Sequence, residues 1–447
     1  MTWDLQITGG ILVDANGRFP ATLAVQEGRI AAILSHPDPS ARRTINALGL
    51  HVLPGMVDQH VHFMDPGPTD REDFITGSSA AAVGGVTTVA EHTHSNPILT
   101  VADLESKREH LSQRSLVDFG LVAHAFPDSV GEAAALWRAG IAYVKAFTCT
   151  THGVPALMPD QLLALFRNLQ AVGGRAMVHC EDEFITGADE RRLHLLGRTD
   201  NGIISEWRSR EAELTAVSVT CMLAVLSGAR VTVAHASNPA VVELVRTSRR
   251  SNPGLTVEAC PQYLHLTSEE HQAQGPLRKF TPPARSPEDR AGMRRLLGAG
   301  QLDLVGTDHA PSTRAQKLEG DIWSCPFGLP GVETTLRLLL NACADGWLTL
   351  EQVVALFSRN PARLLGLHPA KGSLEVGSDA DLVLVDLAAA EAVSAASIVS
   401  KAGWSPYEGM TLRGRPVMTL VRGEVVAEGG AVTAAPGWGR FVSRATV

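Results

Sequence analysis

Short apolar runs separated by turn residues occupy both ends of the chain. At the N-terminal end they lie at 5–7, 11–13, 23–25 and 29–33, and at the C-terminal end at 381–385, 418–421 and 425–427. Runs of this length between glycine-containing turns predict β-strands. Because neither end alone has enough strands to bury a face, we expect the two ends to pair into one small β module.

The middle of the chain, residues 55–368, has a different pattern. Apolar, β-branched runs alternate here with segments of helical composition, and the runs lie at 86–89, 142–147, 175–179, 230–235, 255–258 and 302–305. Strand–helix alternation predicts a parallel sheet, and a span of this length suits an α/β fold of the (β/α)₈ TIM barrel type. The alternative is a doubly wound open sheet. It is disfavoured because no Gly-x-Gly-x-x-Gly motif follows the first strand.

These patterns predict three segments. Residues 1–54 form the N-terminal part of a β-sandwich, residues 55–368 form the barrel, and residues 369–447 form the C-terminal part of the sandwich. The composition, with 45% hydrophobic and 19% charged residues in 447, is that of a globular protein with a large core.

Charge and hydropathy exclude several classes of partner. Acidic residues outnumber basic ones by 47 to 39, which gives a net charge of −8 and argues against a nucleic acid or an anionic membrane as partner. No apolar run is long enough for a transmembrane helix, and the first residues do not resemble a secretory signal. We therefore expect a cytoplasmic protein whose six scattered cysteines are reduced.

The residues that could carry chemistry follow the apolar runs of the middle segment. His60 and His62 are two positions apart and so lie on one side of a strand. Further polar residues end later runs, and in a TIM barrel such residues meet at one mouth. They are Lys145, His179, His235 and Asp308.

Four histidines and an aspartate can bind two divalent cations. Nitrogen and oxygen ligands suit zinc, with manganese, iron and cobalt as alternatives. A lysine within an apolar strand is unusual, because lysine is almost never fully buried without a partner. Burial favours the neutral amine of such a lysine, which makes it a nucleophile.

Several motifs of the chain resemble those of the cyclic amidohydrolases, the group of the amidohydrolase superfamily that includes dihydroorotases, allantoinases and hydantoinases. The resemblance covers nearly the whole chain. It rests on PGMVDQHVH at 54–62, GGVTT at 84–88, KAF at 145–147, EACPQY at 258–263, TPPAR at 281–285 and GLPGVE at 328–333.

The resemblance implies a TIM barrel with a β-sandwich formed from both termini, and a binuclear metal centre. His60, His62 and Asp308 would bind one ion, His179 and His235 the other, and Lys145, carboxylated by CO₂, would bridge them. Asp308 would also be the catalytic residue that moves a proton from the attacking water to the leaving nitrogen.

Departures from the subfamily patterns bear on which ring is opened. Dihydroorotases usually carry an arginine and an asparagine where this chain has Met64 and His94, although Arg71 could partly substitute for the arginine. Hydantoinases usually carry a tyrosine where this chain has Thr150, and allantoinases share the threonine. The GLPGVE motif, in contrast, is more similar to that of hydantoinases. We interpret the chain as a metal-dependent hydrolase that opens a ureide or imide ring. It is allantoinase- or hydantoinase-like and nearest to allantoinase, with dihydroorotase as the alternative.

The remaining expectations concern the substrate pocket and the partners. Met64, His94, Thr150, Thr281 and Phe327 are predicted to contact a small cyclic amide. The roles of His92, His124 and His152, which also follow strands, stay open. The resemblance suggests a homotetramer or homodimer. A non-catalytic scaffold related to dihydroorotase is a further alternative, which the complete set of six ligand positions disfavours.

Overall fold

The structure is a computed structural model that describes residues 2–444. Its strands agree closely with the apolar runs of the sequence. In chain order they are β1 Leu5–Thr8, β2 Ile11–Val13, β3 Arg18–Pro20, β4 Thr22–Gln26, β5 Arg29–Leu34, β6 Thr44–Asn46, β7 His51–Pro54, β8 Met56–Val61, β9 Val86–Glu91, β10 Asp118–Leu121, β11 Ala123–His124, β12 Val144–Phe147, β13 Arg175–His179, β14 Arg230–Val233, β15 Leu255–Ala259, β16 Leu304–Val305, β17 Leu382–Ala392, β18 Thr411–Val421, β19 Glu424–Glu428 and β20 Ala431–Val432.

Helices alternate with the strands of the middle segment. They are α1 Phe74–Val83, α2 Val101–Ser112, α3 Ala133–Ala139, α4 Pro159–Gln170, α5 Glu183–Leu195, α6 Ile203–Trp207, α7 Arg210–Ser227, α8 Pro239–Arg249, α9 Pro261–His265, α10 Ser268–Gln274, α11 Pro287–Gly298, α12 Arg314–Leu318, α13 Thr335–Ala344, α14 Leu350–Val354 and α15 Asn360–Leu365. Several begin at a side-chain cap, as at Asp73, Thr100 and Ser286, whose oxygens accept a backbone N–H of the first turn. No helix in residues 2–444 is long and apolar enough to cross a membrane.

Strands β8–β16 form the predicted parallel barrel. They pair in the order β8-β9-β10 and β11-β12-β13-β14-β15-β16, with β10 and β11 forming one interrupted strand. The barrel closes between its first and last strands, where Val61 forms a parallel bridge with His309 and the His62 amide donates to the His309 carbonyl at 2.8 Å. Almost every residue of these strands is buried, as expected for a sheet covered on both faces.

Both ends of the chain build the predicted sandwich. One sheet has the order β5-β4-β1-β6, and the other has the order β20-β19-β18-β17-β7-β2-β3. The two ends meet where β7 pairs with β17 in antiparallel register, with Leu53 opposite Val383. Leucine, isoleucine and valine side chains from both ends fill the space between the sheets.

Two parts of the C-terminal segment contact the barrel. Trp404, in the loop between β17 and β18, donates its indole N–H to the Ser312 carbonyl at 2.9 Å, and Phe441 forms a bridge with Phe119 of β10. The domain limits 1–54, 55–368 and 369–447 stay a prediction, and residues 445–447 lie outside the described residues.

A buried cluster of charges joins the sandwich to the barrel. The Lys371 ammonium contacts Asp379 at 2.9 Å and Asp381 at 2.7 Å, and it also contacts Asp118 of β10. Arg422 donates to the same Asp118. Since a lysine already occupies the space among the three carboxylates, we interpret this cluster as a structural ion-pair network.

Candidate metal centre and substrate cavity

The six predicted ligand residues converge at the C-terminal mouth of the barrel. His60 lies at the end of β8 and His62 follows it, while Lys145 and His179 lie in β12 and β13. His235 and Asp308 follow β14 and β16 by two and three residues, and all six line one cavity. Parallel strand direction is the cause, because it brings the carboxyl end of every strand to the same mouth.

The donor atoms lie at the separations expected of ligands that share an ion. Asp308 Oδ1 is 3.1 Å from His60 Nε2 and 3.3 Å from His62 Nε2, and His179 Nδ1 is 3.0 Å from His235 Nε2. Two ligands at zinc-like bond lengths and a tetrahedral angle are ~3.3 Å apart. The residues therefore fit two cation positions, one at each group.

Lys145 contacts the first of these groups through His60, and it forms no ion pair with a carboxylate within the described residues. Its side chain is 1% exposed, and its only hydrogen bond within the described residues joins Nζ to His60 Nε2 at 3.2 Å. Burial lowers the pKa of Lys145, although Glu258 and Asp308 oppose the shift. A buried amine of this kind is suited to the carboxylation that the resemblance implies.

Carboxylates and a carbonyl hold the ligand rings from behind. His60 Nδ1 is 2.8 Å from Glu258 Oε2, and His179 Nε2 is 2.7 Å from Glu181 Oε2. His62 Nδ1 is 2.9 Å from the His92 carbonyl oxygen. Such partners choose the ring tautomer and direct the other nitrogen to the cation.

The sequence analysis did not assign these positioning roles to Glu181 and Glu258. A signal was present for Glu181, which is two residues after His179 and so on the same side of the chain. No comparable signal links Glu258 to His60, because they lie on strands that are 198 residues apart in the sequence.

Burial and neighbouring charges act in opposite directions on the ligands. Burial disfavours the charged form of Asp308, but His60 and His62 outweigh it and hold the pKa of Asp308 well below its usual range. Burial likewise lowers the pKa of His60, yet Glu258 raises it to about 9. Both ion pairs of Asp308 in the described chain use Oδ1, which leaves Oδ2 free of a charged partner.

A cavity of about 360 Å³ opens over the ligands. Four of the five predicted substrate contacts line it, namely Met64, His94, Thr281 and Phe327. Thr150 does not. It is exposed, and its hydroxyl donates to Glu183 at 2.9 Å, so it takes no part in the proposals below.

Four histidine rings lie together beside this cavity. His94 Nδ1 is 3.1 Å from His124 Nε2, and the His94 ring stacks on His152. His92 is fully buried, and neither of its ring nitrogens has a hydrogen-bond partner within the described residues. Burial, reinforced by neighbouring cations, lowers the pKa of all four rings well below 6.5.

Aromatic residues and two cations form the rest of the wall. Phe147, Trp323 and Phe327 line the cavity, as do Arg71 and Lys279. Lys279 donates to the carbonyls of Trp323 at 2.9 Å and Cys325 at 2.7 Å, and burial lowers its pKa to about 8. Arg71 donates its Nε–H to the Pro311 carbonyl at 3.0 Å. Among the described residues, Asp308 is the one carboxylate that lines the cavity.

Backbone strain is concentrated at this cavity. Met64, His152, His235 and Asp308 all have positive φ values, between 37° and 59°, and all four line the cavity. A non-glycine residue seldom adopts this conformation, and it persists only where the surrounding structure enforces it. The fold therefore holds two ligands and two wall residues in fixed orientations.

Comparison with known proteins identifies the family of this chain. The profile of the family described as "Amidohydrolase family" matches residues 51–426. The chain is 35% identical to an L-hydantoinase of Paenarthrobacter aurescens, over 99% of this chain and 98% of the relative. It is 33% identical to an allantoinase of Deinococcus radiodurans, over 98% of each chain.

A solved structure is also similar over the whole length. The L-hydantoinase (dihydropyrimidinase) from Arthrobacter aurescens superposes with a TM-score of 0.94 at 34% identity, covering 99% of this chain and 100% of that one. The chain therefore belongs to the amidohydrolase family.

Proposed function

We propose that this member of the amidohydrolase family hydrolyses a C–N bond of a cyclic amide, and that its substrate is a hydantoin with an apolar substituent. The observation that carries the proposal is the convergence of four histidines, Lys145 and Asp308 at the floor of a cavity with an aromatic wall. The family membership and the similarity to hydantoinases and an allantoinase support it.

Two divalent cations complete the site in this proposal. His60, His62 and Asp308 would hold one, His179 and His235 would hold the other, and carboxylated Lys145 would serve both. When bound, the ions lower the pKa of water and polarise the ring carbonyl. Zinc is the proposed metal, because imidazole and carboxylate ligands are those it prefers.

Asp308 moves the proton in this reaction. Its Oδ1 faces His60 and His62, so Oδ2 is available to accept a proton from the attacking water. The C–N bond then breaks, the acyl carbon keeps the water oxygen, and the same proton passes to the leaving nitrogen. The product therefore contains the atoms of the ring and of one water molecule. General acid–base catalysis of this kind contributes a rate increase of ~10²–10⁴-fold.

The wall of the cavity favours a hydantoin with an apolar 5-substituent over allantoin, whose 5-substituent is a polar ureido group. Met64 is an apolar, polarisable side chain where a dihydroorotase would have a cation, and Phe147, Trp323 and Phe327 add aromatic surface. The sequence motifs taken alone are most similar to those of allantoinases, so allantoin is the next candidate substrate.

Dihydroorotase activity is a second candidate because of Arg71. This side chain lines the cavity and could form a charge-assisted contact with a ring carboxylate.

A substrate panel tests the ring. We expect the highest kcat/KM at pH 8 for 5-benzylhydantoin, a lower value for allantoin, and a value for dihydroorotate about 10–10³-fold below the best substrate. Met64→Arg should raise kcat/KM for dihydroorotate and lower it for 5-benzylhydantoin, and Met64→Leu serves as the size-matched control. A highest value for dihydroorotate that Arg71→Gln abolishes would establish the second candidate instead.

The same panel separates an enzyme from a scaffold. A protein that binds two zinc ions per chain yet opens none of these rings would contradict the proposed activity. The predicted cytoplasmic location and the homotetramer or homodimer stay predictions, and sedimentation analysis would determine the assembly.

A further inference from the structure

A second cavity lies at the opposite, N-terminal mouth of the barrel. Its volume is about 910 Å³, and we call it the arginine cavity. Its wall carries five arginines and a histidine from separate elements, and no aspartate or glutamate. These residues are Arg138, Arg175, Arg230, Arg363, His368 and Arg444.

None of these arginines has a carboxylate partner among the described residues. Many arginines elsewhere in the chain do have one, as Arg210 has in Asp289 at 2.8 Å and Arg285 has in Glu213 at 2.9 Å. In the arginine cavity, Arg230 donates to the Gly173 carbonyl, and Arg444 donates to the Ile141 carbonyl at 2.8 Å. Carbonyls satisfy N–H donors without neutralising the charge.

Arg175 lies deepest in this group. It is the first residue of β13, its Nε–H is buried, and that N–H has no acceptor within the described residues. Burial lowers the pKa of Arg175 to about 10, and Arg230 and Arg444 lower it further by repulsion. An arrangement that gathers like charge and leaves a buried donor without an acceptor among the described residues favours the binding of an anion.

The arrangement is unusual for both this protein and this end of a barrel. The chain as a whole carries a net charge of −8, so the cluster runs against the overall balance. In TIM barrels the N-terminal mouth generally serves stability rather than binding, and the predicted chemistry of this chain lies entirely at the other mouth.

We propose that the arginine cavity is a binding site for an oligophosphate anion. A single carboxylate would leave most of the five guanidinium charges unmatched, whereas a pyrophosphate or triphosphate chain carries several charges in a row. Guanidinium groups bind phosphate oxygens through paired, charge-assisted hydrogen bonds. A cavity of this volume also has room for a ligand of nucleotide size.

The anion could come from free inorganic oligophosphate or from a nucleoside triphosphate, and both contain the same phosphate chain. Isothermal titration of the intact protein with tripolyphosphate and with ATP distinguishes these sources. Equal affinities assign the site to the phosphate chain alone, and tighter binding of ATP assigns it to a nucleotide. We expect one ligand per chain and a dissociation constant that increases with sodium chloride concentration.

The variant Arg175→Gln/Arg230→Gln tests the location. We expect it to bind tripolyphosphate about tenfold or more weakly and to lose the rise in melting temperature that the ligand produces in the parent protein. Arg246→Gln is the matched control, because Arg246 lies on the surface of α8 beside Glu243 at 3.2 Å, and it should bind like the parent.

A second double variant distinguishes loss of the binding site from misfolding. Arg138→Gln/Arg363→Gln changes two exposed arginines of the rim, which should not affect folding, and it should also weaken binding. The proposal is overturned if the parent protein binds no oligophosphate, if sodium chloride of equal ionic strength gives the same thermal shift, or if both double variants bind as tightly as the parent. None of these outcomes depends on which ring the protein hydrolyses.

Discussion

The two mouths of the barrel differ in how their cationic side chains are paired. At the C-terminal mouth, several cationic groups are paired with carboxylates, as His60 is with Glu258 at 2.8 Å, Lys107 with Glu91 at 2.8 Å and Arg208 with Glu181 at 3.3 Å. At the N-terminal mouth, Arg175 and the other arginines of the arginine cavity face one another. The same eight strands connect both mouths, so strand geometry alone does not explain the difference.

The difference lies in the carboxylates that accompany the cationic groups of one mouth and not those of the other. Glu258 and Glu181 contact the rings of two predicted ligands and so orient them, as outer partners do at a metal centre. The arginine cavity contains no such partners among the described residues, and in the proposal above a ligand supplies the balancing charge. The predictions that follow test this contrast, from the largest expected effect to the smallest.

Replacement of Lys145 should have the largest effect. Lys145→Ala removes the proposed bridge between the cations, so we expect metal content far below two ions per chain and loss of nearly all ring-opening activity. A short-chain carboxylic acid should restore part of both, because it can supply the missing carboxylate. Elemental analysis and kinetics measure these quantities.

Lys145→Arg is the control for that experiment, since arginine keeps a charged side chain of similar length that cannot become a carbamate. It should be as inactive as Lys145→Ala and should gain nothing from added acid. Full metal content and an unchanged rate in Lys145→Ala would show that the bridge does not exist.

Replacement of Asp308 should have the next largest effect. Asp308→Asn retains the shape of the side chain but cannot carry the proton, so kcat should fall about 10²–10⁴-fold. Metal should also bind less tightly, which equilibrium dialysis detects independently of turnover. If the variant keeps more than about a tenth of the parent kcat, another group moves the proton.

A pair of arginine variants compares the two mouths directly. Arg208→Gln leaves the buried Glu181 carboxylate without its cation, and loss of one member of a buried ion pair costs about 3–5 kcal/mol of unfolding free energy. Arg175→Gln removes a charge that only repels its neighbours, so its unfolding free energy in phosphate-free buffer should fall by no more than about 0.5 kcal/mol. Denaturant unfolding measures both values.

Equal losses in the two variants would refute the contrast between the mouths. They would mean that Arg175 has a stabilising partner in the folded protein, and the anion site would lose its main support.

A smaller effect than that of Arg208→Gln should come from replacing the carboxylate behind His60. Glu258→Gln keeps a hydrogen-bond acceptor but removes the charge, and loss of such an outer partner weakens metal binding by about 10–100-fold. Glu243→Gln is the control, because Glu243 pairs with Arg246 on the surface and should not affect metal affinity. Unchanged metal affinity in Glu258→Gln would assign Glu258 a purely structural role.

Local patterns in the sequence predicted the architecture of this protein and its proposed ligand set. Alternating strand and helix composition predicts the barrel, because each strand needs an apolar run and each crossover needs a helix. The two-residue spacing of His60 and His62 places both rings on one side of β8, and motif resemblance supplies the other ligands. These signals lie within a few residues of each other, so they can be read without coordinates.

Tertiary structure alone decided the partners of those residues. Glu258 reaches His60 across 198 positions of sequence, and the aromatic and cationic wall comes from loops after several different strands. Thr150 shows the limit of spacing arguments, since it follows a ligand by five positions yet points to Glu183 outside the cavity. The arginine cavity has no motif at all. Its five arginines lie between residues 138 and 444, and only closure of the barrel and return of the C-terminal segment bring their charges together.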